Sequence, residues 1–299
     1  MSGTTNHYGG QAASQLLLLS KFRSFTLNLF VRICLSKIVE NAMVWPNDLW
    51  LHKARAIFYI LAATVILPTS LLVATPANED AATAQNLAAM LRAGWTVISK
   101  EQNRINDPEL GDKNLSGPVV LEQARKNFQA ATGIDPDTID PTSQSGRLLR
   151  DQMDAIVEVM DANQTTINAK GTGFKGFIPA LFARLVNEAF VRRANGEAEI
   201  KLTAPADRVR NRKARPDAWE DDIIETKLLS PNWPRGQPYS AAVEFKGRSA
   251  FRVMVPEYYD SSCLTCHGSP KGELDITGYP KEGAKENELG GIISIVLYH

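Results

Sequence analysis

The apolar residues change their repeat about two thirds of the way along the chain, near residue 196, and that switch limits the folds open to it. Before it, they recur every three or four positions. Leu87, Met90, Leu91, Val97 and Ile98 do so within 80–106, Val120, Ala124 and Phe128 after Pro118, and Leu149, Met153, Ile156 and Met160 within 149–167. Such spacing gathers one face of an α-helix. A further helix is expected over 178–194, ended by Asn195-Gly196, because these residues accept the left-handed turn that closes a helix. Beyond it the runs shorten. Strands are expected at 200–203, 241–246, 249–255 and 290–298, with Gly247-Arg248 marking a hairpin, and one helix over 218–229 behind Pro216-Asp217. Helices first and a small antiparallel sheet after them make an α+β fold. No internal repeat or low-complexity linker divides 78–299, so one domain is expected there.

Residues 1–77 read differently. Residues 56–74 (AIFYILAATVILPTSLLVA) form an apolar core, preceded by Lys53 and Arg55 and followed by Thr75-Pro76-Ala77 and then Glu79-Asp80. A basic flank, an apolar core and a small residue before a polar stretch are the parts of a secretory signal, with Ala77 as the cut point. The rival reading is an uncleaved anchor helix, since the run approaches the roughly 20 residues that cross a bilayer. Either reading places the remainder in the periplasm, soluble or tethered. Met43 stands at a more usual distance from this signal than Met1, so residues 1–42 are expected to be an upstream extension of the reading frame. Lys plus Arg equals Asp plus Glu at 33 each, which lacks the basic surplus of a nucleic-acid binder.

Cysteine placement is sharper still. Cys34 lies upstream of the cut point, which leaves Cys263 and Cys266, with His267 immediately after. Cys263-Leu264-Thr265-Cys266-His267 matches the attachment motif for one covalent c-type haem. Two intervening residues let both sulfurs form thioethers to one porphyrin edge, and the adjacent histidine then falls beneath the iron as its proximal ligand. Attachment usually takes place outside the cytoplasm, in agreement with the export signal. The same residues allow two other readings. A zinc ion needs four ligands, for which Cys263, Cys266, His267 and His299 are candidates, with Asp or Glu as substitutes. A thioredoxin-like thiol pair wants a βαβ setting, which this sequence lacks.

Outward from the motif, the chain resembles a known family. Val255-Pro256-Glu257-Tyr258-Tyr259, the stretch from Cys263 to Pro270, the stretch from Asp275 to Gly283, and Gly290-Gly291-Ile292-Ile293-Ser294-Ile295 are similar to the bacterial c-type haem-binding sensor domains found in histidine kinases, chemoreceptors and stand-alone proteins. Arg210-Asn211-Arg212 and Pro216-Asp217-Ala218-Trp219-Glu220 resemble the upstream signature of that family. The resemblance implies a PAS-like antiparallel sheet packed with a helical N-terminal part, a haem ligated by His267, and sensing of redox state or small gases such as CO, NO or O2. It also implies a separate signalling partner, since no kinase or methyl-accepting region follows the last strand. Some members place a distal cysteine on the first mature helix; the corresponding stretch here, Trp95-Thr96-Val97-Ile98-Ser99-Lys100, holds none.

The distal ligand is therefore open. Met90, Met153, Met160 and Met254 are the thioether candidates, each also readable as core filling, and His299 is a chain-terminal alternative. Arg208, Arg210 and Arg212 form a basic run that could meet haem propionates, because the guanidinium fork matches a carboxylate; a solvated loop is the competing reading. Asp275, Tyr279 and Lys281 are expected on a surface loop beyond the motif, with a pocket wall that hydrogen-bonds near the haem as the second reading. A haem-based sensor is the leading reading and a small electron-transfer cytochrome its alternative. An enzyme ranks last, because peroxidase-like chemistry wants a distal acid–base group.

Overall fold

The computed structural model describes residues 76–299. The signal or anchor at 56–74 and the extension at 1–42 lie outside the described residues. Eight α-helices and four strands are present among those described. Helices α1 (Pro76–Lys100) and α2 (Gln102–Ile105) come first, then α3 (Gly117–Thr132), α4 (Gln144–Ala162), α5 (Gln164–Ile167) and α6 (Pro179–Arg193). Strand β1 (Ala198–Thr203) opens the sheet and leads to α7 (Ala218–Ile223), a π-helical turn (Ile224–Leu228), β2 (Tyr239–Phe245), β3 (Arg248–Tyr258), the one-turn α8 (Leu264–His267) and β4 (Leu289–Tyr298). The expected helix over 218–229 is thus a short α-helix that widens into a π turn. No described helix is long and apolar enough to cross a membrane.

The sheet is antiparallel throughout, in the order β1-β4-β3-β2. The two central strands are buried on both faces, which is why 290–298 reads as an apolar run interrupted only at Ser294 rather than as an alternation. Phe251, Val253 and Val255 of β3 and Ile293, Ile295 and Leu297 of β4 join the helical core, packed with Leu87, Met90 and Leu91 of α1 and Phe182 and Phe190 of α6. Met254, Ile292 and Leu289 face the other way, under Ile223, Ile224 and Leu228. The β2–β3 hairpin turns on Lys246 and Gly247, with φ of 52° and 74°. Both residues are left-handed, as a two-residue turn matching strand twist requires. The turn sits one residue earlier than Gly247-Arg248.

One charged cluster lies under α7. Arg252, 3 % exposed at its side chain, reaches Asp217 Oδ2 at 2.7 Å and Glu220 Oε1 at 3.2 Å. Its guanidinium lies over the rings of Trp219 and Phe245, at 4.2 and 4.3 Å from their centroids. Asp217 and Glu220 also form a capping box: Asp217 Oδ1 accepts from Glu220 N, and Glu220 Oε2 accepts from Asp217 N. The Pro-Asp-Ala-Trp-Glu signature thus starts a helix and pins it to the sheet through Arg252 of β3, Lys201 of β1 at 2.7 Å from Glu220 Oε2, and Ser294 of β4, whose hydroxyl donates to Glu220 Oε1.

Candidate functional site

The Cys263–His267 segment follows the end of β3. A β-bulge between Glu257 and Tyr258 shifts the register against β4, and bulges commonly re-aim the residues beside them. Arg92 of α1 holds this end of β3 through Glu257, at 2.6 Å. Tyr259 comes next, buried, with its ring 5.0 Å from that of His267. A Cβ on Gly290 would come within 2.6 Å of the Tyr259 ring, so the glycine clears the space for it.

Asp260 starts the turn. Its Oδ1 accepts from Ser262 N at 2.8 Å, Ser262 Oγ at 2.6 Å and Cys263 N at 3.2 Å. Backbone bonds from Cys266 N and His267 N to Cys263 O, at 3.1 and 3.0 Å, complete one helical turn. Residues three apart on a helix lie on the same side, with Cβ atoms about 5–6 Å apart. Cys263 and Cys266 therefore present two thiols on one edge, and both are free and part-buried. The chain must then leave sharply, because a Cβ on Gly268 would meet Leu264 O at 2.5 Å.

His267 is held from behind. Its Nδ1 lies 2.9 Å from Glu282 Oε2 and 3.4 Å from the Tyr259 hydroxyl, the latter at the weak limit of a hydrogen bond. With Nδ1–H donated to the carboxylate, Nε2 keeps its lone pair free for a metal, which is the usual arrangement of a ligating histidine. Burial lowers the His267 pKa and the Arg210 charge adds to this, with Glu282 opposing only in part. The lowering favours the neutral ring, the form that ligates.

Arg210 organises the surrounding loop. Its Nε donates to Glu282 Oε1 at 2.6 Å and its Nη2 to Glu282 Oε2 at 2.9 Å. Nη1 donates to Asp275 Oδ2 at 2.6 Å, and Nη2 also reaches the Cys266 carbonyl at 2.8 Å. The Asp275 side chain is 0 % exposed. Burial opposes its ionisation, but hydrogen bonds from Thr277, Arg210 and the Tyr279 and Thr277 backbone outweigh this and hold its carboxyl far below the usual range. Asp275 is thus the buried anchor of a small hairpin, not a surface residue. Tyr279 is exposed and Lys281 pairs with Glu273.

Other residues singled out by the sequence lie elsewhere or are already engaged. Arg208 donates to the Leu289 carbonyl at 2.7 Å and pairs with Glu288 at 3.3 Å. With Arg210 it lines a cleft of about 610 Å³ that also includes Lys281 and Glu282. Arg212 is exposed and makes no ion pair among the described residues. Met90, Met153 and Met160 are embedded in the helical core and Met254 in the cluster under α7. His299 pairs with Asp80 at 3.1 Å, at the far end of β4 from Leu289; that strand spans roughly 30 Å at the usual rise per residue. Sequence reasoning missed Glu282. It lies inside the 275–283 segment whose similarity was noted, but no pattern of spacing marks a carboxylate fifteen positions on as a partner of His267.

A family model described as Tll0287-like (Tll0287) matches residues 78–297. The chain belongs to the Tll0287-like family. The match covers both the helical layer and the sheet, so the whole described fold, and not the motif alone, is what the family shares. No curated protein and no solved structure matches the chain.

The donor set fits a c-type haem. Two thiols share one edge, and an imidazole stands one residue on with Nδ1 tied back to Glu282. Burial pushes both thiols up, helped at Cys266 by the Asp275 charge, so neither is a standing thiolate. No group of three or more His, Cys, Asp or Glu among the described residues could hold a metal ion by itself.

Proposed function

We propose that this Tll0287-like protein is a periplasmic single-haem c-type cytochrome that acts as a redox or small-ligand sensor rather than as an enzyme. The observation that carries this reading is the turn at Cys263–His267, with both thiols on one side and His267 Nδ1 held by Glu282. Cys263 and Cys266 would each add sulfur and proton across one vinyl double bond, with no other reactant, and His267 Nε2 would take the iron. The bound group would supply reversible one-electron chemistry and an axial position for a ligand. Tyr259, Glu282 and Arg210 hold the histidine ring and the loop around it. The family's relation to c-type cytochrome-like domains supports the reading, as does an antiparallel sheet of the kind a PAS-like domain uses. The burial of Met90, Met153, Met160 and Met254 among apolar side chains supports an axial position left to water or a small ligand. With His299 at the far end of β4, the described residues place no second histidine near His267, which argues against peroxidase-like acid–base catalysis.

Electron transfer is the second reading. Its motive is the exposure of Leu274, Ile276 and Tyr279, at 65, 60 and 48 %, on the loop beside the motif, because an apolar rim suits a transient protein encounter. Expression in a host with cytochrome c maturation tests the proposal. The expected product carries one covalent haem, lost in C263A/C266A, and shows a reduced spectrum that shifts with CO. Wild-type protein without covalent haem would refute it. A spectrum indifferent to CO, with fast exchange of electrons with native cytochromes, would transfer the case to the carrier.

A further inference from the structure

The loop returning from the hairpin brings one carboxylate behind the histidine. Ala284 N donates to His267 O at 2.8 Å and Gly283 N to Gly268 O at 3.1 Å. These two backbone bonds fix the 282–284 segment against the motif, so the 2.9 Å contact between Glu282 and His267 Nδ1 is set by main chain and not by a free side chain. The Glu282 side chain is 17 % exposed. Its Oε2 accepts from both His267 Nδ1 and Arg210 Nη2, and its Oε1 accepts from Arg210 Nε.

A charged acceptor on the outer nitrogen makes an imidazole a stronger donor through its other nitrogen, and partners of this kind tune a bound metal. We infer that Glu282 is a positioning residue for the iron ligand: it fixes the plane and tautomer of His267 and biases the iron toward its oxidised form, while Arg210, sharing the same carboxylate, limits that bias. The inference rests on the haem-binding reading above and goes beyond it by naming what sets the response of the site. Tyr259 contributes the ring on which His267 rests, since its hydroxyl at 3.4 Å is a poor competitor for Nδ1.

The test is a redox titration of wild-type holoprotein against E282Q, which keeps size and an acceptor oxygen but loses the charge. Removing the partner behind a metal ligand commonly costs 10–100-fold in metal affinity or activity, and the low end of that range sets the scale for the redox ratio. The ferrous-to-ferric ratio at a fixed ambient potential should rise about tenfold, a positive shift of ~59 mV for a one-electron couple. A haem-loaded E282Q titrating within about twofold of wild type, or shifted the other way, overturns the inference and leaves the haem reading intact. Wild-type protein without covalent haem overturns both. Should E282Q fail to fold, the wild type answers alone. In its reduced, CO-saturated form, nitrogen-15-labelled histidine should show a His267 Nδ1 proton protected from solvent exchange, and a rapidly exchanging proton there refutes the hydrogen bond.

Discussion

Arg210→Met tests the loop architecture most directly. The arginine is 20 % exposed at its side chain and is bound to two carboxylates, Asp275 at 0 % and Glu282 at 17 %. Methionine fills much of the same volume without charge, so the loss is electrostatic. Removing one partner from a buried ion pair costs about 3–5 kcal/mol, because the other charge remains buried. Asp275 keeps bonds from Thr277 N, Thr277 Oγ1 and Tyr279 N, and Glu282 keeps His267, which places the expectation at the low end, about 3 kcal/mol. The cost falls on the 271–284 loop, which is joined to the sheet by few bonds, so it should appear first as local opening. Amide hydrogen exchange is the assay. Lys281, Gly283 and Ala284 donate the backbone bonds that close this loop; their exchange should quicken about a hundredfold, with amides of β3 and β4 much less changed. Exchange within about threefold of wild type at these three positions would refute the claim that Arg210 holds the loop.

Three further outcomes follow from the same geometry. Arg252→Met should cost about 3 kcal/mol in urea unfolding, the low end for a broken buried pair, because Glu220 stays buried but keeps Lys201 and Ser294, yet haem attachment in the folded fraction should be unchanged. Gly268→Ala should lower the yield of covalent haem and cost about 1–3 kcal/mol, since its Cβ would press on Leu264 O at 2.5 Å; unfolding and a haem stain on a denaturing gel read both. For pH, burial opposes ionisation of Asp217, but Arg252 and the Glu220 backbone outweigh it and depress its pKa. A carboxyl depressed in the folded state contributes stability above its unfolded pKa of about 3.9, lost as pH falls further. The stability gap between wild type and Asp217→Asn should therefore be full at pH 6 and shrink below pH 4, as urea midpoints at the two values would show.

Much of the fold was legible because periodicity follows from burial on one face. The apolar stripes of α1, α3, α4 and α6 and the nearly continuous apolar run of β4 each report which sides are covered. Boundaries shifted where backbone geometry decides. The helix after Asp217 widens into a π turn at Ile224–Leu228, and the hairpin turns on Lys246, whose left-handed φ of 52° no glycine signals. Cysteine spacing alone placed two thiols and a histidine on one turn, since three-residue separation on a helix is a local property. The roles of the arginines were another matter. Spacing made Arg208, Arg210 and Arg212 look equivalent, whereas folding buries Arg210 against Asp275 and Glu282, ties Arg208 to Leu289 and Glu288, and leaves Arg212 in solvent. A sequence sets which groups are present and what their neighbours along the chain do. Glu282 behind His267, 65 and 72 residues from Arg210 to its two carboxylates, and Arg252 between Trp219 and Phe245 were decided only by tertiary structure, because pairing across such separations depends on which surfaces the sheet and the loop bring together.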